Sequence, residues 1–147
     1  MLPERLKEAL SQGDTNAIKR IFEQYILTSF SYLDFSDWKN YQILTLGIVS
    51  VLFDSSIVKS EVNGTEGRCD ISISPKREGD IGVIIEIKHS NTVLSKARLQ
   101  GKSKAALTQI KQHHYYDELV QRKATPLFLY GFAFDKQHID VQFERVQ

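Results

Sequence analysis

The chain has 147 residues and a formal net charge of +1, room for one compact domain and no overall charge that selects a partner. Its single cysteine, Cys69, excludes an internal disulfide and fits a reducing, cytoplasmic setting. The longest apolar run, YQILTLGIVSVLF, is too short to span a bilayer, and MLPERLKEAL lacks the apolar centre of a signal peptide, so no membrane partner is expected.

Pro3 opens a short helix over residues 3–11, and Gly13 ends it. Asp14 can cap a second helix, about 15–27, with Ile18, Ile21, Phe22, Tyr25 and Ile26 on one face. SFSYLDFSD reads as a connection. Ser36 or Asp37 starts a third helix, about 37–53, apolar nearly all round and therefore expected to be buried. The period then changes. SIVKSEV, about 56–62, reads as a strand, and RCDISIS and GVIIEIK alternate as strands do. Residues 100–122 read as one long polar helix. PLFLYGFAF and IDVQFERV close the chain as two strands joined by a turn near Lys136. This order predicts an α/β fold, a mixed central sheet flanked by helices. No repeat or Pro/Gly-rich linker divides it, so one domain spans 1–147, with a helical extension over 1–36 and a core over 37–147.

Charged residues interrupt two of these strands. Alternation puts Cys69, Ile71 and Ile73 on one face of the first and Arg68, Asp70 and Ser72 on the other. In the second, Val83, Ile85 and Ile87 share a face opposite Glu86 and Lys88, which predicts a core face and a charged face for each strand. The turn PKREGD centres near Glu78, so an antiparallel hairpin sets 74 opposite 82 and 70 opposite 86. Asp70 and Glu86 would then stand with Cβ atoms about 5 Å apart, where like charges destabilise a sheet. A divalent cation between them removes that cost, and Mg²⁺, with Mn²⁺ as a substitute, suits one or two carboxylates completed by water and phosphate oxygens. Lys88, one pleat beyond Glu86, supplies a point charge for an attacking water or a phosphate. The set makes chemical sense for metal-assisted hydrolysis of a phosphodiester.

At these residues the sequence resembles the PD-(D/E)XK nuclease superfamily: Asp70, then Glu86-Ile87-Lys88, then a helix with glutamine and tyrosine. It is most similar to the nuclease-like domain at the C-terminal end of bacterial AAA-ATPase-like proteins, through Gly67-Arg68-Cys69-Asp70, the pair Gln109-Ile110, Tyr115 and the strand YGFAF. The resemblance implies a restriction-endonuclease-like core with Asp70 and Glu86 as metal ligands. It implies Lys88 as the residue that assists the water and Gln109 as an accessory residue in the site. Relatives carry a Tyr-His pair in the first nuclease helix, where this chain has Tyr41-Gln42. Relatives also carry an acid in that helix; the nearest here, Asp37, is out of step, and Glu61 and Glu66 are nearby acids that could serve instead.

Between residues 88 and 123 eight Lys or Arg face only two acids, Asp117 and Glu118. A basic stretch after a phosphodiester site suits a nucleic-acid backbone, with Lys96, Arg98, Lys102 and Lys104 as its contacts. Gln109, Gln112 and Tyr116 share a side at helical spacing, whereas the resemblance points to Tyr115, so either tyrosine could face the site. His113 and His114 diverge by about 100° on a helix, cannot both face one metal, and read as structural or surface residues. The expected function is a Mg²⁺-dependent nuclease acting on nucleic acid, DNA first. The alternative is an inactive nuclease-like module that binds nucleic acid or a protein.

Overall fold

The computed structural model describes residues 2–27, 38–54, 57–63 and 68–147. The SFSYLDFSD connection with Ser36 and Asp37, and also Glu66 and Gly67, lie outside them, as do the side chains of Glu61, Arg68 and Cys69. Helix α1, Leu2–Gln12, stops at Gly13, whose φ of +73° is left-handed. Asp14 accepts the Ala17 N–H at 3.1 Å and so caps α2, Thr15–Ile21, which runs on through a π turn, Phe22–Ile26. Helix α3 comes next at Trp38–Leu52, then strands β1 (Val58–Asn63), β2 (Arg68–Ile73) and β3 (Gly82–His89). Helix α4, Lys96–Gln112, and the short α5, Asp117–Gln121, lead to β4 (Leu127–Phe134) and β5 (Ile139–Arg145).

The sheet has the order β1-β2-β3-β4-β5. β3 and β4 run parallel, which requires the crossover that α4 and α5 provide, and the other neighbours are antiparallel. The β2–β3 ladder pairs Ile71 with Ile85, Ser72 with Ile84 and Ile73 with Val83. This is the register expected from the PKREGD turn.

Three expectations change. The face of β3 that carries Glu86 is not a solvated charged face. Ile84 on that face is fully buried in a second core with Ile110, Leu119 and Leu129, beneath α4 and α5. Helices α1 to α3 cover the opposite face, against Ile71, Ile73, Val83 and Ile85. A strand apolar at Val83, Ile84 and Ile85 in succession is a strand covered on both sides. Second, the polar segment is not one helix. Ser95 caps α4 five residues ahead of the expected start, and the helix ends at Gln112 because His114 turns left-handed at φ +54°. Third, α3 is not buried all round. Ile43 and Val51 are 64% and 82% exposed. They border an apolar groove of about 420 Å³ shared with Pro3, Leu6 and Ile21.

One residue sets how closely α4 lies on the sheet. Gly131 of β4 pairs with Glu86 of β3. A Cβ there would fall on the carbonyl oxygen of Ser103 and 2.8 Å from the Leu107 nitrogen, both helix backbone. Backbone cannot swing aside as a side chain does, so Gly131→Ala must lift α4 from the site. We expect a loss of about 1–3 kcal/mol in thermal melts. Gly101→Ala, where a Cβ meets nothing within 4 Å, should instead gain up to about 1 kcal/mol from helix propensity. Equal melting temperatures for the two variants would refute the close-approach argument.

Candidate functional site

Continued by one residue, the β2–β3 register faces Asp70 with Glu86. There the Asp70 carboxylate accepts the Ile87 N–H at 2.7 Å. Asp70 is thereby fixed by the strand that carries Glu86. Gln42 of α3, only 5% exposed, donates its amide to the Asp70 carbonyl at 3.3 Å from the other side. Sequence reasoning noted Gln42 only as a departure from a Tyr-His pair. The available signal was a polar amide directly before the apolar run Ile43-Leu44 of this helix.

Glu86 is 4% exposed. Burial, and then the hydrogen bond and the charge of Asp70, push its pKa up to about 9, against a smaller opposing effect of Lys88. With its pKa raised that far, Glu86 keeps its proton at neutral pH beside the Asp70 carboxyl. Lys88 donates to the Gln109 side-chain oxygen at 2.6 Å. The Gln109 amide nitrogen donates to Glu86 and lies 3.4 Å from the Tyr115 hydroxyl. Lys88, Gln109, Glu86 and Asp70 therefore form one connected polar set on the α4 side of the sheet.

The geometry also settles which tyrosine faces Gln109. Helical spacing had offered Tyr116, but the helix ends at Gln112 and the left-handed His114 rotates both tyrosines away from helical positions. Tyr115 turns inward, 6% exposed, and Tyr116 packs at the edge of the second core. Gln112 is exposed. His113 stacks on Tyr115 at 5.6 Å, and His89 lies on the other sheet face, 6.0 Å from the Tyr41 ring.

The basic residues divide. At 100° per residue, Arg98 and Lys102 lie on the Gln109 side of α4, and Lys96 and Lys104 lie on the far side. Among the described residues no group of three or more His, Cys, Asp or Glu forms a cluster. Asp70 and Glu86 are the carboxylate pair these residues offer a cation. Carboxyl oxygens are the donor type that a small hard ion such as Mg²⁺ would take.

A family model described as the PD-(D/E)XK nuclease superfamily matches residues 37–144. No curated protein matches the chain. Among solved structures, the crystal structure of SSO0001 matches at 17% identity with a TM-score of 0.33, over 98% of this chain and 62% of that one. A likeness that low carries no argument. No helix of the described residues is long and apolar enough to cross a membrane.

Because the folded pKa of Glu86 lies above its unfolded value, the native state holds a proton that the unfolded state has released. Metal-free stability should therefore fall as pH rises from about 4.5 towards 9, and level off above. Glu86→Gln should flatten that slope and raise the melting point at pH 8 by more than about 2 °C. A metal-free melting temperature that climbs over this window would contradict the raised pKa.

Proposed function

This chain belongs to the PD-(D/E)XK nuclease superfamily, and on that premise we propose that it is a metal-dependent nuclease that hydrolyses phosphodiester bonds, with DNA as the first substrate to test. The observation that carries this reading is the convergence of Asp70 and Glu86 under α4, with Lys88 held beside them through Gln109. Asp70 and Glu86 would hold Mg²⁺ or Mn²⁺. The ion, when bound, supplies charge for the scissile phosphate and acidifies a water. Lys88 offsets negative charge on the phosphate oxygens and orients the water. Gln109 fixes where the Lys88 ammonium stands. The finer likeness to the nuclease-like domain of bacterial AAA-ATPase-like proteins rests on Asp70, Gln109 and Tyr115 in the order that group carries.

A second reading keeps the fold as a binding module without hydrolysis. The observation in its favour is Gln42, which stands where relatives carry histidine and commits its amide to the Asp70 carbonyl.

Cleavage of single- and double-stranded DNA and RNA, with Mg²⁺ or Mn²⁺, separates the two. Lys88→Ala should lower turnover by about a hundredfold or more, the scale for losing one such electrostatic group. Affinity measured in Ca²⁺ should change little. Cleavage unchanged by the substitution would point to another site, and no cleavage of any substrate would leave the binding module. Asp70→Asn is the companion variant, since an amide oxygen can still accept the Ile87 N–H. Its metal-free melting point should hold or rise, and the stabilisation by Mg²⁺ should vanish.

A further inference from the structure

Helix α4 has two basic edges with different surroundings. Arg98, Lys102 and Gln109 fall within about 40° of one another around the axis, and Lys96, Lys104 and Lys111 lie roughly 140–160° from Gln109. The contacts orient both edges. Gln109 touches Glu86 and Lys88 of β3. On the other side Lys111 pairs with Glu144 at 3.0 Å, and the Ser103 hydroxyl bonds Asp140, both on β5. Lys96 borders a small pocket that includes Glu23 and Asp140. Of the far edge only Lys111 is paired with an acid, and the pocket beside Lys96 holds Lys19 as well as Glu23 and Asp140. Among the described residues Arg98, Lys102, Lys96 and Lys104 form no ion pair, so the two edges differ in the direction they face rather than in pairing. Arg98 is exposed, and Lys102 is half-buried.

We infer that the Arg98–Lys102 edge of α4 is a phosphate track, which takes the backbone of the nucleic-acid strand leading into the site, and that the Lys96–Lys104 edge is not. This rests on the nuclease reading above. A phosphodiester at the carboxylate pair carries further phosphates along its strand. Lys102 and Arg98 stand about 10 and 16 Å from Gln109 along the helix axis, in line with it. Two unpaired cations in a row leading out of the site match a row of anions. Lys96 and Lys104 lie roughly 140° around the axis from Gln109 and face away from that row. The contacts are to backbone, so the track reads charge and spacing rather than sequence.

The test is binding of labelled single-stranded and duplex oligonucleotides in Ca²⁺ over a range of salt. Arg98→Gln with Lys102→Gln should weaken binding about tenfold or more and reduce the slope of log affinity against log salt by about two. Lys96→Gln with Lys104→Gln should leave both within about twofold, since charges outside the contact release no counterions. Arg98→Lys with Lys102→Arg keeps the charge and should bind as wild type, which separates lost charge from a disturbed helix. Equal losses from the two edges, or none from either, would overturn the track, as would a polyglutamate peptide that competes as well as DNA does. Wild-type cleavage in Mg²⁺ is read in parallel. Cleavage without an edge effect sinks the track alone. An edge effect without cleavage sinks the nuclease reading and keeps the track, and a wild type that binds no oligonucleotide sinks both.

Discussion

Two carboxyl groups within hydrogen-bonding reach, in a place water barely enters, cannot both be ionised cheaply. Asp70 and Glu86 are in that position, and the metal-free protein meets the constraint by keeping a proton on the pair. On the proposed reading, a divalent cation would take the place of that proton and set both carboxylates around one positive centre. The raised pKa in the metal-free state and the proposed fitness for a hard cation would then have one origin.

The surroundings hold the pair without neutralising it in another way. Asp70 takes a backbone N–H from β3 and is steadied from behind by Gln42. Gln109 stands between Lys88 and Glu86, its oxygen towards the ammonium and its nitrogen towards the carboxyl. A direct Lys88–Glu86 ion pair would pull the Glu86 pKa back down and occupy both partners. The amide instead satisfies each and leaves the ammonium beside the site. That placement depends on α4 lying close enough for Gln109 to reach β3, which Gly131 allows.

Much of this was legible in the sequence. The PKREGD turn and two alternating runs fixed the hairpin register, because a shift of one residue would have turned Ile71, Ile73, Val83 and Ile85 out of the core. Gly13 and Asp14 punctuated α1 and α2 by their own local chemistry. What was not legible came from tertiary context. Little local marks the end of α4 at Gln112, since the left-handed residue is a histidine and not the glycine or asparagine that usually ends a helix, and that turn decides between Tyr115 and Tyr116. Nor does charge alone reveal burial. Alternation set Glu86 on a charged face, although Val83-Ile84-Ile85 beside it already hinted at a strand covered on both faces.

Asp135 shows why burial by itself does not make an acid functional. It is fully buried at the end of β4, as Glu86 is nearly so in β3. Burial pushes its pKa up too, but the N–H groups of Gln137, Leu94 and His138 outweigh that and hold it below the usual range. Asp135 is therefore a charged structural anchor, with one oxygen spent on the turn into β5 and the other on Leu94 ahead of α4. Glu86 receives the Gln109 amide and, with burial and Asp70 raising its pKa, keeps a proton. Of two buried acids near the carboxyl ends of adjacent parallel strands, where α/β sheets commonly place their ligands, one is committed to the backbone. The other is left with a proton to exchange.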